Sequence, residues 1–229
     1  MNKVVKTLIS ILLLFVIAGL AYAIVQSIQE PVKFNKQVDV RKSVGVQRLK
    51  DIRTLQVAYK SVNGKFTSDF DSLALFYNTG KMDVIMQIGS NDDSLAVANT
   101  ERIKKANRKI TPEEMYDLYK QGQSLVFSIK NSIPVKDTLF TNRPDFNVDS
   151  LKYIPYSGKQ MVEMEAVEKM VSGVTVPLFE AKMPYKKLLK GLDNQLRINL
   201  DAQCRESNHY EGLQVGSVSA PNNNAGNWE

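Results

Sequence analysis

From Leu8 to Val25 the chain reads LISILLLFVIAGLAYAIV, 18 residues without a single charge. At about 1.5 Å of rise per residue, a helix over this run, extended by Val4, Val5 and Ile28, spans a hydrocarbon layer of roughly 30 Å. Lys3 and Lys6 before it and Tyr22 near its far end suit the two interfaces. The small-x-small triplet Ala21-Tyr22-Ala23 also has the form of a signal-peptidase site, which is the rival reading. The apolar run continues past Ala23 through Ile24 and Val25 and exceeds a signal core of about 7–15 residues, so an uncleaved anchor over 1–28 is expected. Lys33, Lys36, Arg41 and Lys42 outnumber the basic residues in front, which by charge alone would hold the downstream domain in the cytoplasm. A short basic tail leading into one long apolar segment is nevertheless the form of a signal anchor, which exports that domain. The expectation is a single-pass inner-membrane protein with its large domain in the periplasm.

Next comes a juxtamembrane linker or helix at 29–45, where Pro31 is placed to interrupt or kink a helix. Val46, Leu49, Ile52, Leu55, Val57 and Tyr59 then recur at helical spacing along one side, with Arg48, Lys50, Asp51, Arg53 and Lys60 expected to face water. Asn63-Gly64 is a good helix stop because both residues tolerate the left-handed conformation. Phe66 and Phe70 are expected against the helix base, and Asp69 or Ser68 can cap a second short helix.

Taken in order, the apolar segment, the amphipathic helix and the stretch DIRTLQVAYKSVNGKFTSDFDSL resemble the N-terminal half of type II secretion pseudopilins and type IV pilins. The matching positions are Ile52, Leu55, Ala58 and Tyr59 on the helix, then Asn63, Gly64, Lys65 and Phe66 at the turn. The acidic residue that family carries inside its apolar run has no counterpart, since the first carboxylate here is Glu30. The resemblance implies a component or accessory of a secretion or filament apparatus that packs through Ile52, Leu55, Ala58 and Tyr59. EPVKFN, VQRLKDIRT and NNNAGNWE are also similar to membrane-anchored envelope proteins of Bacteroides-type bacteria, a likeness that implies no activity.

The remainder reads as β-rich with short helices. KMDVIMQIGS alternates as a strand, and TPEEMYDLYKQG is a helix with Thr111 as cap, Pro112 at its first position and Glu114 closing a capping box. ERIKKANRKI between them is an exposed helix or loop, and SLVFSIKNSIPVKDTLF offers strands on either side of Asn131-Ser132. MVEMEAVEKMVSGVTVPLFEAKM is the clearest hairpin, reversing at Ser172-Gly173, with Pro177 marking an edge or bulge. PYKKLLKGL is a short helix stopped by Gly191, and NQLRINLDAQC offers a strand with Leu196, Ile198 and Leu200 on one face. Helices first and an antiparallel meander afterwards define an α+β class: a transmembrane helix and an amphipathic helix, then a mainly antiparallel body. The domain expectation is one exported domain over 46–215 and a flexible tail over 216–229, from which Trp228 is a candidate anchor onto a partner.

Chemical signatures are sparse. Cys204 and His209 are single residues of their kinds, which excludes an intramolecular disulfide and multi-thiolate or multi-histidine metal sites. His209 reads as a surface-loop residue, and no phosphate-binding glycine pattern is present. Asn91, Asp92 and Asp93 allow a calcium reading, but a helix cap explains them better. The formal charge of +6 comes from 30 basic and 24 acidic residues mixed along the chain; Lys104, Lys105, Arg108 and Lys109, and Lys186, Lys187 and Lys190, lack the interleaved aromatics of a nucleic-acid surface. The expectation is therefore a non-enzymatic envelope protein without cofactor or metal, meeting the inner membrane and envelope or secretion-apparatus proteins or itself. The interaction residues would be Ile52, Leu55, Ala58, Tyr59 and Trp228. The alternative is a membrane-tethered ligand-binding or enzymatic domain, which a pocket of convergent polar groups near Asp201, Arg205 and His209 would favour.

Overall fold

The structure is a computed structural model that describes the backbone of residues 3–229 and the side chains from residue 11 onward; the first part of the expected anchor therefore lies, for its side chains, outside the described residues. Helix α1 runs from Lys3 to Asn63, about 90 Å of continuous helix. Pro31 sits inside it without breaking it, since losing one amide donor is small beside the packing of Phe34 and Val38 just beyond. Residues 11–30 are exposed throughout, and this is the one helix among the described residues long and apolar enough to cross a membrane. Buried residues on α1 begin at Phe34.

After α1 come α2 (Phe70–Thr79), β1 (Lys81–Ile88), α3 (Ser94–Ala106), α4 (Pro112–Lys120), β2 (Phe127–Pro134) and α5 (Val135–Thr138). They are followed by β3 (Glu163–Val171), β4 (Val174–Pro184), α6 (Tyr185–Leu188), α7 (Asn194–Glu206) and β5 (Gly212–Gly216). Both sheets are antiparallel, one of two strands in the order β1-β2 and one of three in the order β3-β4-β5, so the fold is α+β. The chain divides into two compact units, one formed by residues up to Thr54 with Ser150–Glu229, the other by Leu55–Asp149.

In the first unit β4 is the central strand, buried from Leu178 to Ala181 and again at Met183. Its hairpin with β3 turns at Ser172-Gly173, both at positive φ, with Val171 opposite Val174. β5 pairs only with Glu180–Pro184, so Pro177 has a neighbouring strand on one side, which accommodates its missing amide. α1 passes close to β5 at Gly45, where a Cβ would stand 2.7 Å from Leu213 Cδ1. Arg48, expected in water, is half-buried and donates from Nη1 to the Ser150 and Tyr153 carbonyls at 2.7 and 2.5 Å. Asp51, expected in water too, is buried and accepts from Gln47 Nε2 at 2.9 Å, whereas Val57 in the second unit is exposed. The apolar period identified the buried face correctly, and its borders moved by one or two positions where polar partners were available.

In the second unit the Asn63-Gly64 stop holds, with Gly64 at φ 76° and its amide bonded to the Lys60 carbonyl at 2.8 Å. Gln56 is buried just before it and reads the Thr67 backbone in both directions, donating to the carbonyl and accepting from the amide. Phe66 and Phe70 are buried as expected, and Asp69 caps α2 by accepting from the Asp71 and Ser72 amides. Thr111 and Glu114 form the expected capping box of α4. Met115 of α4, Leu125 of the loop that follows it, and Phe127 and Ile129 of β2 make a local core. The expected break at Asn131-Ser132 is absent: β2 runs through it, opposite Val84 and Asp83 of β1. Pairing supplied a partner along the whole strand and overrode the turn preference of the dipeptide.

Candidate functional site

Five residues were expected to meet partners. Ile52, Leu55 and Ala58 are buried within their own chain, Ile52 and Leu55 completely, so they hold the body together and are not an open docking face. Tyr59 is partly buried, its ring edge-on to Phe76 with centroids 5.3 Å apart. Trp228 does not project on a free tail. Residues 216–229 fold back along β5: Gly216 N donates to Ala225 O at 2.9 Å, Asn227 N to Gln214 O at 3.0 Å, and Asn227 Nδ2 to Gly212 O at 2.9 Å. Glu229 pairs with Arg53 at 2.6 Å, and the indole lies so close over Gly226 that no Cβ would fit there. This segment lacks apolar periodicity, and its order comes from backbone and asparagine hydrogen bonds that no hydrophobic pattern reports.

The structure does bring together Asp201, Arg205 and His209. They line an open cleft of about 580 Å³ in the first unit with Pro184, Lys186, Arg197, Ile198, Tyr210 and Glu211. The wall is α7, which corrects the expected strand: Asn194–Glu206 is helical, and its cap is Asp193, accepting from Leu196 N at 2.8 Å. The alternation of Leu196, Ile198 and Leu200 conceals a helical pair, Leu196 and Leu200, which turns to the crevice shared with Phe34 and Val38 of α1. Ile198, 38% exposed, faces the cleft instead. The signals that could have found the helix were Asp193 as cap and Arg197 four residues before Asp201.

Arg197 donates to Asp201 Oδ2 and, through Nη2, to Asn194 Oδ1 at 2.9 Å. Asp201 is 6% exposed, and its other oxygen, Oδ1, is buried without a hydrogen-bond partner. Burial raises its carboxyl above the ordinary aspartate value; Arg197 opposes that shift, Glu211 adds to it and Arg205 opposes it. Arg205 pairs with Glu211 at 2.8 Å. Lys186 is exposed and makes no ion pair among the described residues. Burial pushes the hydroxyls of Tyr185 and Tyr210 up, and the Cys204 thiol with them, so all three stay protonated at neutral pH. His209 lies exposed in the loop after α7, as expected. Asp93, one of the three residues that allowed a calcium reading, caps α3 by accepting from the Leu95 and Ala96 amides. The cleft thus offers hydrogen-bond donors, two fixed ion pairs and an apolar strip, an arrangement suited to holding a polar molecule.

Comparisons with protein-family models, with curated proteins and with solved structures give no match.

Proposed function

We propose that this chain is a non-enzymatic, membrane-anchored envelope protein that acts through protein–protein contacts, a pseudopilin-like component or accessory of a secretion or filament apparatus. Its large domain lies in the periplasm. The observation that carries this reading is the continuity of α1: an apolar half exposed along its whole described length runs without a break into a half whose inner face is buried. An apolar surface of that extent requires lipid or protein around it. Because no linker separates the halves, a force or displacement acting on the anchor reaches the body through one rigid element.

Since Ile52, Leu55 and Ala58 are covered internally, partners must use the positions α1 leaves open. Val40 and Val44, one turn apart, and Val32 nearer the membrane are exposed apolar side chains on this helix. Photocrosslinking from positions 40 and 44 in intact cells, with mass spectrometry of the adducts and protease accessibility read on the same cells, tests the proposal. Adducts to envelope or secretion-apparatus proteins or to a second copy, with protection lost only when the outer membrane is opened, are expected. Absence of protein adducts from both positions, or cleavage only after the inner membrane is opened, would overturn it.

A further inference from the structure

The cleft on α7 holds two unmet demands of opposite sign. Asp201, more than nine-tenths buried, has an acceptor oxygen without a donor, and the single acid-to-arginine contact it makes is spent on Oδ2. Lys186 carries a charge that no described carboxylate neutralises. The other two cations of the lining, Arg197 and Arg205, are each held by an acid of the same lining. A polyanion is disfavoured, because it would face the carboxylates of both Asp201 and Glu211. A simple cation is disfavoured by Lys186, Arg197 and Arg205. A wholly apolar ligand would leave these groups dry and unpaired. Ile198 and Pro184 supply the apolar part of the lining.

We propose that this cleft binds a small zwitterion, an ammonium and a carboxylate on one molecule, with its ammonium toward Asp201, its carboxylate toward Lys186 and its side chain on Ile198. Free amino acids and short peptides share this chemistry, and the volume of about 580 Å³ admits either. The protonated hydroxyl of Tyr210 adds a donor beside the carboxylate. The proposal is independent of the contacts made by α1, so ligand binding and partner crosslinking fail separately.

The test is isothermal titration of the full-length protein in nanodiscs with L-leucine, the dipeptide Gly-Leu, L-leucinamide, N-acetyl-L-leucine, and acetate mixed with methylammonium. Saturable binding of leucine or Gly-Leu is expected, at least about tenfold tighter than either blocked form or the mixed ions. Tighter binding of leucine identifies a free amino acid as the ligand type, and tighter binding of Gly-Leu a peptide. Lys186→Gln, at an exposed position, should weaken binding about tenfold or more with an unchanged melting temperature. Asp201→Asn should weaken it similarly; where that variant does not fold, Lys186→Gln decides. No saturable binding by either zwitterion up to about 10 mM, equal binding of the blocked forms, or binding indifferent to Lys186→Gln overturns the proposal.

Discussion

Arg48 shows how one side chain ties a helix to the chain that returns to it much later. Its guanidinium satisfies the Ser150 and Tyr153 carbonyls, and burial lowers its pKa from the ordinary arginine value, with Asp51 opposing the shift. Arg48→Met leaves both carbonyls without this donor and should cost about 1–3 kcal/mol, read as a lower thermal midpoint. Arg53 plays a related part at the C-terminus. Its hydrogen bond holds the Glu229 carboxyl below the ordinary value of 4.5. A depressed folded value means the contribution is complete above pH 4.5 and is lost as pH falls through the lowered value. Trp228 is the one tryptophan of the chain, so its fluorescence reports this closure. Its emission should shift to the red as pH drops below that window, and Arg53→Met should produce the same shift at neutral pH; an Arg53→Met spectrum identical to the parent would exclude a closing role for the pair.

Among the elements, α7 carries the most consequence for its length. Its first turn leaves amides that Asp193 satisfies, accepting from Leu196 at 2.8 Å. Its sides then serve two different neighbours, with Leu196 and Leu200 toward α1 and Arg197, Ile198, Asp201 and Arg205 toward the cleft. Asp193→Ala should cost about 1 kcal/mol and lower the thermal midpoint, and by fraying the turn that carries Arg197 it should weaken leucine or Gly-Leu binding as well. The hairpin of β3 and β4 is the contrasting case, since Ser172-Gly173 adopts positive φ at both turn positions and the register follows directly.

At the scale of the whole molecule, an exposed apolar half-helix precedes a body whose buried residues begin at Phe34. Removal of residues 1–28 should therefore yield a soluble protein with folded far-UV circular dichroism, whereas aggregation without such a signal would place part of the body's stability in the anchor. The membrane-length helix, the stop at Asn63-Gly64, the caps Asp69 and Thr111 and the 172–173 hairpin were all legible in the chain, because each depends on residues within a few positions of one another. β2 running through Asn131-Ser132, the helical state of 194–206 and the fastening of 216–229 were not, because each is decided by a partner distant in sequence or by a period that two structures share. The cleft falls between the two: Asp201, Arg205 and His209 could be named together from the chain, while Pro184 and Lys186 joined them through packing. By itself, then, the sequence determined those local elements whose caps, stops and turns lie close together in the chain, through hydrophobic period and capping chemistry. Only the tertiary structure decided where the borders of the buried face of α1 fall, what closes the C-terminus and which charges share a cleft, because burial and pairing are properties of neighbours in space.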